Sequence, residues 1–105
     1  MTESEFSAIA DETLDRIERR IEECGAEVDV ERKDGGVLEL EFEDNSKIII
    51  NRHAVAREIW VAARSGGFHF RHTEAGWRNT RDGEDLYAAL ERYIGQQAGT
   101  AVRLT

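Results

Sequence analysis

The hydrophobic period of this chain switches from helical to two-residue spacing at Gly25 and back again near Gly83, and that double switch constrains the fold more than any other feature. In residues 4–24, Phe6, Ala10, Leu14, Ile17, Ile21 and Cys24 recur at three- and four-residue spacing, the mark of one helix face. Ser4 is expected to cap this helix and Gly25 to end it. From Ala26 onward Val28 and Val30 alternate with Glu27, Asp29 and Glu31. After the turn signal Asp34-Gly35-Gly36, Leu38, Leu40 and Phe42 alternate with Glu39, Glu41 and Glu43. Four more strands are predicted over residues 47–51, 58–63, 68–72 and 77–80, with Asp44-Asn45-Ser46, Gly66-Gly67 and Ala75-Gly76 among the breaks. Helical spacing returns over residues 83–97, where Leu86, Leu90, Tyr93, Ile94 and Gln97 share a face. Asp82 is the predicted N-cap, and Glu84 and Asp85 suit the positive end of the helix dipole. The tail carries Val102 and Leu104, which are expected to pack loosely across the core.

The order is therefore α-β6-α. Short turns between successive strands require antiparallel neighbours, and helices that flank the strands in sequence cover the same sheet face. The expected fold is α+β, a two-layer α-β sandwich with an antiparallel sheet and both helices on one face. It forms one domain over residues 1–105, with the other sheet face open to a partner.

Charge then narrows the function classes. The 22 acidic residues outnumber the 14 basic ones, for a net charge of −8. Residues 1–50 hold 16 acids and 6 bases, net −10, whereas residues 51–105 hold 6 acids and 8 bases, net +2. An acidic half repels phosphate backbones and anionic membranes and attracts cations and basic protein surfaces. Neither nucleic acid nor membrane is an expected partner. The N-terminus Met1-Thr2-Glu3-Ser4-Glu5 lacks the basic and apolar regions of a secretory signal, and no apolar run is long enough to span a bilayer. With Cys24 as the only cysteine there is no internal disulfide, so a reducing cytoplasm is the expected compartment.

Asp11, Asp15, Glu18 and Glu22 are spaced 4, 3 and 4 apart and fall in one helical stripe, which Glu12 and Glu23 widen. Glu27, Asp29 and Glu31 add a row from the first strand. Like charges at these spacings cost stability, and Arg16, Arg19 and Arg20 relieve them only in part. An all-oxygen ridge of this kind suits hard cations such as iron, manganese, calcium or magnesium, held weakly because no loop pre-organises the carboxylates. His69 and His72 are three apart on a predicted strand and face opposite ways, so a zinc site is not expected. Cys24 reads as a buried filler. No nucleotide-binding loop, metalloprotease motif or nucleophile elbow is present, and no enzyme is expected. Trp60 has the outward phase of its strand and is a candidate interaction hot spot on the open face.

Several blocks together resemble a known family. They are Ser46-Lys47-Ile48-Ile49-Ile50-Asn51-Arg52, Ile59-Trp60-Val61-Ala62, Gly66-Gly67-Phe68-His69-Phe70, and Trp77 with Arg81-Asp82-Gly83-Glu84. With the acidic first helix and strand, they resemble the bacterial CyaY branch of the frataxin family over residues 4–97. That resemblance implies an iron-binding protein of iron–sulfur cluster assembly. Such a protein would act as iron donor or sensor and would modulate the cysteine desulfurase and its scaffold machinery. It implies a monomer without iron and an iron-dependent oligomer, with ferroxidase activity not the main role. By position, Glu18, Glu22, Glu23, Glu27, Asp29 and Glu31 become ridge residues, and Asn51, Arg52 and Trp60 a sheet patch for partners. Two departures stand out: His53-Ala54-Val55 replaces the family's usual Gln-x-Pro, and Arg19 occupies a ridge position often acidic. Apart from the resemblance, the same acidity fits a phosphate-backbone mimic that blocks a basic partner without iron.

Overall fold

The computed structural model describes residues 1–104. Its elements are α1 (Glu3–Glu23), β1 (Val28–Lys33), β2 (Val37–Phe42), β3 (Lys47–His53), β4 (Glu58–Ala63), β5 (Gly66–Thr73), β6 (Gly76–Asn79) and α2 (Leu86–Ala98). The strands form one sheet in the order β1-β2-β3-β4-β5-β6, and each neighbour is antiparallel. Alternation decides which way each side chain points. Leu38, Leu40, Phe42, Ile48, Ile50, Ile59, Val61, Phe70 and Trp77 turn to one face. There they meet Phe6, Leu14, Ile17 and Ile21 of α1 and Leu86, Leu90, Tyr93 and Ile94 of α2 in one buried core. Both helices therefore cover a single sheet face, with α1 nearest β1 and β3 and α2 nearest β6.

Both helices start away from the expected residues. Thr2, and not Ser4, caps α1. Its Oγ1 accepts from the Glu5 N–H at 3.1 Å, and Glu5 Oε1 accepts from the Thr2 N–H at 2.9 Å. Ser4 has Ser7 three residues on, so it could not complete this reciprocal box. α2 begins at Leu86 because Gly83 takes a left-handed φ of 77°, which a helix cannot include. Asp85 is its cap, accepting from the Ala88 N–H at 3.1 Å, while Asp82 serves the preceding turn through the Glu84 N–H at 2.9 Å.

The tail is pinned rather than loose. Val102 and Leu104 are buried; the Leu104 N–H donates to Glu91 at 2.7 Å, and its carbonyl accepts from Arg20 at 2.8 Å. Gln97, placed by its spacing on the apolar face of α2, is buried with both ends of its amide engaged. It accepts from the Arg64 N–H at 3.0 Å and donates to Ser46 Oγ at 2.9 Å, tying α2 to the loops after β2 and β4.

Candidate functional site: an acidic helix face and an open sheet

The stripe on α1 lies beside the helix–sheet contact. Glu12, Asp15, Glu18, Arg19 and Glu22 line a shallow groove along it. Its upper half is already engaged. Arg32 reaches up from β1 to Asp15 at 2.7 Å, Glu18 at 3.5 Å and Asp11 at 3.9 Å. The hydrogen bond to Asp15 is the main reason the Arg32 guanidinium is held above its ordinary value, against the opposing pull of partial burial. Arg52 adds a contact from β3, with its Nε 3.2 Å from Asp11. Glu22 and Glu23, about one turn further on, have no ion-pair partner among the described residues.

The acids of β1 point elsewhere. Val28, Val30 and Arg32 take the phase that faces α1, so Asp29 and Glu31 turn to the open sheet face. Asp29 stands directly opposite Glu41 in register, and Glu31 opposite Glu39. The helix and strand acids thus form two banks around the β1 edge and not one continuous ridge. Lys33 at 3.2 Å and Lys47 at 3.5 Å relieve Glu39, and the Lys33 hydrogen bond chiefly holds its carboxyl below the usual range. Near Gly25, Glu27, Asp29, Glu41 and Glu43 border a cleft of about 270 Å³, and Glu41 and Glu43 were not among the sequence candidates. The donors of both banks are carboxylate oxygens, the set hard cations prefer. Among the described residues no three His, Cys, Asp or Glu groups converge on one point. Such a face attracts hard cations without enclosing them.

The sheet patch also differs from its expected membership. Asn51 and Trp60 share the open face and stand opposite each other in register. Arg52 has the inward phase of Ile48 and Ile50. It runs beneath Gly36, where any Cβ would overlap its side chain, and contacts Asp11 of α1. It therefore fastens helix to sheet and leaves the patch. His53 and His69 take its place. His53 stacks on one face of the Trp60 indole at 3.8 Å and His69 on the other at 4.4 Å, with planes within 13°. The indole N–H donates to Glu58 at 2.9 Å, and Arg71 donates to the same carboxylate at 2.7 Å. Burial pushes the Glu58 carboxyl up, but the Trp60 and Arg71 hydrogen bonds outweigh it and hold the group below its ordinary value. His53 also stands where a proline turn was absent. Its Nδ1 accepts from the Ala56 N–H at 3.2 Å and closes the β3–β4 turn.

His72 points to the helix face, edge-on to Trp77 at 5.0 Å, so the two strand histidines are separated by the sheet. Cys24 is a free thiol, half-buried against the core. No helix of the described residues is long and apolar enough to cross a membrane. Sequence reasoning passed over Arg32 and Glu58. The signal for Arg32 was its inward phase after Val28 and Val30. The signal for Glu58 was its place two residues before Trp60 on the same face.

Comparison with known proteins agrees with this architecture. Residues 1–100 match the family model for the frataxin-like domain. A protein of Dechloromonas aromatica named iron-sulfur cluster assembly protein CyaY is 55% identical over 104 residues, covering 99% of both chains. One of the same name from Ralstonia nicotianae is 53% identical over 107 residues, covering 99% of this chain and 95% of its own. The solved structure of frataxin from Psychromonas ingrahamii superposes with a TM-score of 0.92 at 35% identity, covering 100% of this chain and 99% of the other. With the fold, the acidic helix and a family match over nearly its whole length, this chain belongs to the frataxin-like family.

Proposed function

We propose that the protein serves iron–sulfur cluster assembly as an iron-binding donor or sensor that modulates a cysteine desulfurase. The observation that carries this reading is the two-bank carboxylate face around α1 and β1, set on a fold whose relatives bear the name iron-sulfur cluster assembly protein. Iron is cargo here. Carboxylate oxygens from Glu22, Glu23, Glu27 and Asp29 would hold it in open, solvent-shared shells, with Asp11, Asp15, Glu18 and Glu31 adding field. The same negative face steers the chain toward a basic surface of the desulfurase, and the Trp60 stack on the open sheet supplies short-range burial against that partner. The compartment is the cytoplasm, with a monomer in the absence of iron.

Anaerobic titration with ferrous iron tests this. Several weak sites are expected, with dissociation constants of roughly 10⁻⁵ M or larger. Glu22→Gln with Glu23→Gln should weaken them and blunt the effect of iron on desulfurase turnover. Unchanged binding and turnover in that variant would contradict the reading. Oxygen uptake is expected to stay at the spontaneous rate of iron oxidation; faster uptake would mark a ferroxidase.

A further inference from the structure

We infer that the β3–β4 turn is a proton-operated cover over one face of Trp60, latched by neutral His53 and released when that imidazole takes up a proton. The turn, residues 54–57, has little else to hold it. Among the described residues no backbone hydrogen bond outside the strand ladder closes it. Arg57 sits at a left-handed φ of 55°, a strained conformation for any residue but glycine. Val55 at the tip is 93% exposed and buries nothing. What closes the turn is the bond from the Ala56 N–H to His53 Nδ1, at 3.2 Å. The same ring lies 3.8 Å from the indole of Trp60, so the turn and the cover move together.

An imidazolium has two donors and no acceptor, so a proton on Nδ1 sets donor against donor at Ala56. His69, on the other face of the indole, meets the reverse. Its Nδ1 is 3.6 Å from Glu58, and a proton there makes an ion pair. Glu58 gives His53 no such gain, although it stands opposite in register, because its oxygens are taken by Trp60 and Arg71. The other charges around His53 are Arg57 in the turn, Arg71 on β5, and Lys33 and Asp34 where β1 turns. Lys33 is held by Glu39, and Arg52 is turned inward to Asp11. A cation stacked on an indole is attracted to it. At an exposed site that gain is smaller than the penalty for a part-buried N–H left facing a donor. The two imidazoles of one stack therefore respond oppositely: His69 is held more tightly and His53 is released. Histidine is the side chain whose charge ordinarily changes between about pH 5 and 8, so mild acid operates the cover. Neither iron nor a partner is required.

NMR of the unaltered protein at about pH 7.5 and about pH 5.5 tests this. At the higher pH, ring-to-ring Overhauser contacts are expected from Trp60 to both His53 and His69. At the lower pH those to His53 should fade while those to His69 persist. Protection of the Ala56 amide from solvent exchange should fall about fivefold over the same interval, the ratio that one lost hydrogen bond corresponds to. His53→Gln should remove the pH response of Ala56. Because the two imidazoles are compared within the unaltered protein, the outcome does not depend on how that variant folds. Undiminished contacts of His53 with Trp60 and unchanged Ala56 protection in acid would overturn the inference. So would loss of both imidazoles together, or the same Ala56 response in His53→Gln.

Discussion

Trp60 illustrates how one side chain can be fixed without being buried. Both faces of its indole are covered by imidazoles and its N–H is tied to Glu58, so what it leaves exposed is a rigid edge. Rigid aromatic groups lose little entropy on binding, which is why they dominate interfaces. Glu58 carries the arrangement, since it also holds Arg71. Glu58→Gln should destabilise the fold by about 2 kcal/mol in urea unfolding at neutral pH, the usual scale for a lost charged hydrogen bond. The sign of its pH dependence follows from the lowered folded value. Its contribution is complete above the unfolded carboxyl value of about 4.3 and is lost as pH falls through the lower folded value. The gap between the two proteins should therefore narrow as pH falls through that lower value. A gap that stayed constant from pH 7 to about pH 3 would contradict the assignment.

At the scale of elements, α1 is attached by its apolar stripe and by two arginines from the sheet. The room for Arg52 depends on Gly36, whose φ of 77° and missing Cβ are both required. Gly36→Ala should cost about 2 kcal/mol in thermal unfolding, with disturbed amide signals along Asp11 and Asp15. A silent substitution would show that the Arg52 contact is dispensable. Thr2→Ala should cost about 1 kcal/mol through the lost cap, measured the same way.

These elements also show what was legible. Two-residue alternation marked β1, β2 and β4 with their inward faces, because burial on one side leaves a strict pattern, while turn residues and apolar runs marked the other three strands. The start of α1 was displaced because a cap depends on a reciprocal partner, which Glu5 rather than Ser7 supplies, and that of α2 because Gly83 is left-handed. Arg52 was assigned to the sheet patch by position in a resemblance, whereas the phase Ile48-Ile50-Arg52 already turned it inward. The imidazole stack was hidden for a different reason. His53, Trp60 and His69 come abreast only through the β3–β4 and β4–β5 registers, which no single strand records.

Across the whole molecule, charge and contact are separated. The acidic bank gathers on α1, β1 and β2, while the aromatic stack sits on β3 to β5. Under the proposed function, long-range attraction and short-range burial would arise from different surfaces and answer to different conditions. Trp60→Ala should speed dissociation from a cysteine desulfurase complex, cost about 2 kcal/mol, and depend little on salt. The carboxylates should act on the approach instead, over a screening length of about 8 Å near 0.15 M salt. The most direct measurement is the association rate with cysteine desulfurase across a salt series, for the unaltered protein and for Glu18→Lys with Glu22→Lys and Asp29→Lys. The triple variant should associate much more slowly at low salt and converge with the unaltered rate as salt rises. Equal rates at low salt, or a deficit that persists unchanged at high salt, would contradict it.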